Sequence, residues 1–210
     1  MTMVKICGIK TIEEVSILNK FIPDFAGFVF SKSKRMVNIK KASSLISNLS
    51  MEIRRVGVFV NEPLSFVYEV YKECGLDVIQ LHGDEDIEYI NKLKAELGDD
   101  VVAWKSIRVK GETEIYEANR IDADAILLDT FSDRAYGGTG EAFNWDIARE
   151  YASKNKIALA GGLNVQNVRH AIEKLKPYCV DVSSGVEVNG YKNEIMVKDF
   201  ILAVKEEVRV

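Results

Sequence analysis

Short runs of nearly continuous apolar residues alternate along the chain with longer segments in which apolar positions recur at helical spacing. The runs are Met3–Cys7, Phe25–Phe30, Arg55–Val60, Val78–Leu81, Val101–Ser106, Ala125–Asp129, Ile157–Ala160 and Cys179–Ser183. They are short, rich in β-branched residues and flanked by Gly, Asn or Asp, the pattern of strands buried on both faces. The intervening periodicity predicts helices over Thr11–Phe21, Lys40–Leu49, Pro63–Cys74, Asp86–Leu97, Glu112–Asn119, Asp146–Ser153, Val165–Leu175 and Val197–Val208. Thr11 with Glu14 reads as a capping box, Pro63 as a first helical position and Asn164 as an N-cap. Eight strand–helix pairs at roughly 26 residues each match βα units with short loops. Their even spacing, with no long insertion and no Pro/Gly/Ser linker, favours closure of a parallel sheet over an open one. The strands repeat no common motif, which excludes a solenoid. The expectation is α/β, a single (β/α)8 barrel spanning residues 1–210.

Active sites of such barrels lie where strands end and the following loops begin. Those positions are Cys7-Gly8, Phe30–Arg35, Asn61, Gln80–Gly83, Lys105–Arg108, Asp129-Thr130, Gly161-Gly162 and Ser183–Glu187. The seventh and eighth read Ala160-Gly161-Gly162-Leu163-Asn164 and Val182-Ser183-Ser184-Gly185-Val186-Glu187. Glycine lets backbone N–H groups approach an anion, and a following helix N-terminus adds positive partial charge. Gly pairs after strands are often plain turns, but two such loops at these two strands point to phosphate. Gly137-Gly138-Thr139-Gly140 has neither a dinucleotide-site nor a P-loop context, and reads as a mobile loop over the substrate.

Cys7 closes the first strand and Asp129 the sixth, so a thiol and a carboxyl could face each other across the mouth. That pairing suits proton transfer at two points of one small molecule. Taken singly, a free Cys is more often a core residue and a strand-end Asp a turn residue. Their joint position favours chemistry.

Charge and composition narrow the partners. Lys and Arg number 28 against 32 Asp and Glu, a net charge of −4, so nothing suggests general nucleic-acid binding. No stretch approaches the ~18 apolar residues of a membrane span, and Lys5 and Lys10 interrupt what a signal peptide would keep apolar. Three separated cysteines (Cys7, Cys74, Cys179) make no disulfide framework, and two histidines (His82, His170) no metal-site spacing. The chain reads as cytoplasmic with free thiols; its surface pattern leaves open monomer or homodimer.

The segments KICGIK, FVF…SKRMV, VGVFVN, IQLHGDE, WKSIRV, LLDT, GGTGEAFNW, LAGGLN and DVSSGVE occur in this order from end to end. In them the chain resembles the phosphoribosylanthranilate isomerase family of tryptophan biosynthesis. The resemblance implies an Amadori rearrangement without cofactor or metal. Its substrate would be a phosphosugar carrying anthranilate, N-(5-phosphoribosyl)anthranilate, and its product 1-(o-carboxyphenylamino)-1-deoxyribulose 5-phosphate. It implies Asp129 as general acid, Cys7 as general base and Arg35 as the anchor of the anthranilate carboxylate, with Gly161, Gly162, Ser183, Ser184 and Gly185 around the phosphate. Burial would help the acid keep its proton, and nearby positive charge would lower the thiol's pKa. Lys5, two residues before Cys7, points to the same side of the strand.

His82 follows the fourth strand and could border the substrate or serve as a hydrogen-bonded core residue. His170, Cys74, Cys179, Phe30 and Phe59 read as structural. One departure stands after SSGVE, where Val188–Asn193 carries Asn193 in place of the family's usual Asp; its expected effect is on loop anchoring. A metal-dependent epimerase would need more His and Asp at the strand ends. Indole-glycerol-phosphate synthase would need several Lys and Glu there. A barrel that only binds phosphate would need neither Cys7 nor Asp129.

Overall fold

Successive residues of a strand point to opposite faces, so a strand buried on both sides carries two distinct sets of side chains. In the computed structural model, which describes residues 1–98, 101–130 and 144–205, eight parallel strands close into a ring in chain order. They are β1 (Met3–Cys7), β2 (Phe25–Val29), β3 (Arg54–Phe59), β4 (Val78–Leu81), β5 (Val102–Val109), β6 (Ala125–Thr130), β7 (Ile157–Leu159) and β8 (Cys179–Val182). Around them lie α1 (Ile12–Phe21), α2 (Ile39–Ile46), α3 (Leu64–Cys74), α4 (Ile87–Leu97), α5 (Glu112–Ala118), α6 (Arg149–Lys154), α7 (Val168–Leu175) and α8 (Glu194–Lys205).

One parity faces the helices: Val4, Ile6, Ala26, Phe28, Ile79, Leu81, Ile126, Leu128 and Val180 join the layer between ring and helices. Phe30 and Phe59 stack there at 5.4 Å and belong to that core. The opposite parity fills the ring interior with Phe25, Val56, Val58, Val78, Trp104, Ala125, Leu127, Ala158 and Cys179. Toward the C-terminal ends this interior set turns polar, through Lys5, Gln80, Asp129 and Asp181. The floor of the barrel is thus packed and its upper layer carries chemistry.

The lower rim is tied by a repeated device. Asp24, Asp77 and Asp124, each just before an even-numbered strand, accept the backbone N–H of Val4, Arg55 and Ala103 on the preceding strand, at 2.7–2.8 Å. A carboxylate that satisfies an otherwise unpaired strand N–H fixes the stagger of neighbouring strands.

At α1 the capping box forms, with Glu14 N donating to Thr11 Oγ1 and Thr11 N to Glu14 Oε2. Pro63 stands one position earlier than its sequence context predicts, as the N-cap of α3. Asn167, not Asn164, stands at the N-cap position of α7, without a side-chain cap bond; Asn164 instead accepts from Gln166 N and Asn167 N in a turn ahead of the helix. β5 continues to Val109, and α8 begins at Glu194, ahead of the expected Val197. A hairpin of β9 (Glu187–Val188) and β10 (Tyr191–Lys192), turning on Asn189 (φ +52°) and Gly190 (φ +78°), lies within a stretch read from sequence as loop. Asn-Gly is the strongest two-residue hairpin signal, because both positions need positive φ. The Gly137–Gly140 stretch falls outside the described residues.

Candidate active site

The C-terminal ends of the strands enclose a cavity of about 780 Å³. Its wall includes Cys7, Arg35, His82, Asp129, Gly161, Gly162, Ser183 and Ser184, so eight of the nine expected site residues converge. Gly185 is the exception. It packs behind the wall, where a Cβ would lie 1.9 Å from the carbonyl oxygen of Leu163. Only a residue without a side chain lets the loops after β7 and β8 meet this closely.

Those loops have the backbone expected of an anion cradle. Gly161 and Gly162 have φ of +81° and +66°, and Ser184–Val186 forms a short 3-10 turn. Asn167 Nδ2 donates to the carbonyl of Gly162 at 2.8 Å and closes the first loop on itself. α7 begins beyond that closed loop, at Val168, so the glycines present turn backbone to the cavity rather than an immediately following helix.

Asp129 is buried at the end of β6. Its Oδ1 accepts from Thr130 N at 2.8 Å, and its Oδ2 lies 3.1 Å from His82 Nε2. Gln80 Nε2 stands 2.9 Å from His82 Nδ1, so the imidazole bridges Gln80 and Asp129 through its two nitrogens. His82 therefore both borders the cavity and holds the carboxyl in place. Gln80, two residues back on the same face of β4, was not singled out from sequence, although its parity with His82 was readable.

Cys7 stands on β1, and β6 is well removed from β1 in the ring. Burial pushes the Cys7 thiol up from its ordinary value; the Lys5 ammonium opposes that, Asp181 adds to it, and Lys192 again opposes it. The expectation of a net lowered thiol is corrected: positive charge is present, but desolvation outweighs it.

Arg35 follows β2 and reaches the cavity with its guanidinium already engaged. Its Nε and Nη2 each donate to Glu187 at 2.8 Å in a two-pronged pair. Lys192, fully buried, donates to the same carboxylate at 2.5 Å and to Ser183 O at 3.1 Å. Burial works against the Glu187 charge, but the hydrogen bond from Arg35 and the charge of Lys192 hold its carboxyl at about 2. Two cations on one carboxylate leave an excess positive charge at the mouth. Glu14 Oε1 accepts Lys192 N at 3.0 Å, pinning the hairpin to α1. Asn193 Oδ1 accepts Met196 N at the head of α8, an anchoring role. Glu187 ends the Ser183–Glu187 stretch expected at the mouth but without a role of its own, and Lys192 was not expected there, because the hairpin that presents them reads from sequence as loop.

Lys105, expected from sequence at a strand end, lies within β5 and faces the helices. It donates to Gly83 O at 2.7 Å and lies 3.2 Å from Glu85, apart from the cavity. Among the described residues no cluster of three or more His, Cys, Asp or Glu could hold a metal ion, and no helix is long and apolar enough to cross a membrane.

A closed parallel barrel that gathers a thiol, a carboxyl and glycine turns around one cavity at its strand ends has the architecture of a (β/α)8-barrel enzyme. Comparison with known proteins makes the class particular. Residues 4–203 match the model of the N-(5'-phosphoribosyl)anthranilate isomerase family. The chain is 45% identical over 205 residues to the N-(5'-phosphoribosyl)anthranilate isomerase of Caldanaerobacter subterraneus subsp. tengcongensis, covering 98% of each. The crystal structure of phosphoribosyl anthranilate isomerase from Thermotoga maritima superposes with a TM-score of 0.89 at 37% identity, over 98% of this chain and 99% of that one. A phosphoribosyl anthranilate isomerase solved with reduced 1-(o-carboxyphenylamino)-1-deoxyribulose 5-phosphate superposes at 0.85 and 36% identity, over 98% and 99%. The chain belongs to the phosphoribosylanthranilate isomerase family, the aldose–ketose isomerases of tryptophan biosynthesis.

Proposed function

We propose that the chain converts N-(5-phosphoribosyl)anthranilate to 1-(o-carboxyphenylamino)-1-deoxyribulose 5-phosphate with Asp129 as general acid and Cys7 as general base. The observation that carries this assignment is the presence of both groups in the wall of one cavity, on strands β1 and β6.

Asp129 donates its proton to the furanose ring oxygen while the C1–O bond breaks and the anthranilate nitrogen lone pair forms a protonated Schiff base. The His82 N–H, oriented by Gln80, then stabilises the new carboxylate. Cys7, as thiolate, removes the proton on C2; the C–H electron pair moves into C1=C2 and neutralises the nitrogen. Protonation at C1 and loss of the C2 hydroxyl proton yield the ketone with no net change in protons. Arg35 keeps a guanidinium edge for the anthranilate carboxylate beside its pair with Glu187. The Gly161-Gly162 turn and the Ser183-Ser184 backbone receive the phosphate through N–H groups, with the Ser184 hydroxyl beside them, while the Ser183 hydroxyl donates to Cys7 O at 2.9 Å. Lys32 and Lys34 at the mouth add to the attraction for a substrate bearing carboxylate and phosphate. The enzyme acts in the cytoplasm, as a monomer or homodimer.

The test is turnover of phosphoribosylanthranilate by purified protein with EDTA present, followed as loss of anthranilate-type fluorescence. Cys7→Ser and Asp129→Asn should each lower kcat by at least ~10²-fold, the usual weight of a positioned acid or base. A near-normal rate in either variant would remove that residue from its role.

A further inference from the structure

In the same polar upper layer, with Asp181 in the wall of the cavity, lies a buried ion pair that the reaction scheme does not use. Lys5 on β1 and Asp181 on β8 are register partners, and Lys5 Nζ donates to Asp181 Oδ2 at 2.8 Å. The Lys5 side chain is fully buried and that of Asp181 nearly so. Asp181 Oδ1 is buried with no hydrogen-bond partner among the described residues, so Lys5 is the cation that compensates this carboxylate. A pair taken so far out of water is weak evidence for stability and invites another explanation.

The geometry supplies one. Lys5 and Cys7 share a parity on β1 and converge over Gly27 of β2, the register partner of Cys7. A Cβ at Gly27 would lie 2.8 Å from Cys7 Sγ and 3.2 Å from Lys5 Cε, so glycine keeps open the space in which sulfur and ammonium stem meet. The other charged groups around the sulfur are Lys192 on β10, Arg35 beyond β2 and Asp181 itself, with the Cys179 thiol below, near Lys5 and Asp181.

We propose that Lys5 and Asp181 are positioning residues for the base: the Lys5 ammonium stabilises the Cys7 thiolate, and Asp181 holds that ammonium and limits the stabilisation. A base that removes the C2 proton must reach its ionised form, which burial disfavours at Cys7, yet a thiolate over-stabilised by a bare cation loses basicity. A lysine shared between sulfur and carboxylate serves both demands. Burial disfavours the Lys5 charge, and Asp181 and Cys7 outweigh it, so the group stays an ammonium across the working range. The inference rests on the assignment of Cys7 as base.

The test reads the thiol directly. Iodoacetamide alkylation of Cys7, followed by mass spectrometry of its peptide from about pH 6 to 11, gives the ionisation profile without turnover. Lys5→Met should move the inflection up by at least ~1 unit, a tenfold loss of thiolate at fixed pH. Its kcat should fall by ~10-fold or more near pH 7, with the deficit narrowing as pH rises. Asp181→Asn should move the inflection down, the opposite sign. Since Lys5→Met alone strands a buried carboxylate, the neutral double variant Lys5→Met/Asp181→Asn is the folding-safe form. It too should titrate above wild type. Profiles for Lys5→Met or the double variant within about 0.3 unit of wild type, or an upward shift for Asp181→Asn, would overturn the inference. Full activity in Cys7→Ser would instead sink the base assignment, which the alkylation profile does not test.

Discussion

Replacing Gly161 by alanine tests the link between the proposed phosphate cradle and the proposed acid, Asp129. Gly161 has φ +81°, and a Cβ there would lie 2.4 Å from Thr130 Oγ1, 2.5 Å from Thr130 N and 2.7 Å from Asp129 Oδ1. A side chain at positive φ costs about 1–2 kcal/mol, and overfilling a packed site about 1–3 kcal/mol more. The expected destabilisation is therefore ~2–5 kcal/mol. Thr130 N is backbone and cannot swing aside, so the end of β6 must move and take Asp129 with it. Misplacing an acid by a fraction of an ångström to an ångström should lower kcat by roughly 10- to 100-fold. Gly75→Ala is the control. Gly75 also has positive φ, +57°, but its Cβ would meet nothing nearer than Arg55 Nη1 at 3.9 Å. That variant should show only the backbone part, about 1–2 kcal/mol, with unchanged kcat. Urea unfolding at constant m and steady-state kinetics decide the matter. Equal destabilisation of the two variants, or a Gly161→Ala enzyme within about twofold of wild-type kcat, would refute the reasoning.

Arg35→Ala should mainly raise KM, and Arg35→Lys should recover part of the loss but not the two-pronged geometry; an effect confined to kcat would contradict the anchor role. Glu187 gives a pH signature in stability. Its folded value of about 2 lies below the ordinary 4.5, so its contribution is present above about pH 4.5 and fades as pH falls toward 2. The stability gap between wild type and Glu187→Gln, on the order of 1–3 kcal/mol at neutral pH, should therefore close on acidification, as urea midpoints across pH 2–6 would show. A gap independent of pH would mean that the Glu187 charge contributes nothing.

Much of the site was legible because its signals are local. Cys7, Asp129, His82 and the two glycine loops follow apolar runs directly, and in a barrel that position alone puts a side chain at the mouth. Arg35 was found by motif, but its partner Glu187 lies 152 positions away in sequence, joined to it only by closure of the ring. The hairpin was overlooked although Asn189-Gly190 announces it, because a four-residue ladder has no apolar face to read. Pro63 and Asn164 were each placed slightly wrong at helix starts, where loop closure competes with intrinsic capping preference.

The order of apolar runs and amphipathic segments determined the eight βα units, and the strand-end positions determined which side chains gather at the mouth of the barrel. Tertiary structure alone decided how the charges combine. Lys5 meets Asp181, Arg35 and Lys192 share Glu187, and the His82 ring bridges Gln80 and Asp129. Local pattern records which face of its own strand a residue takes. Pairing of charges depends on which strands become neighbours when the sheet closes, and the ionisation of Cys7 depends on the desolvation that closure imposes.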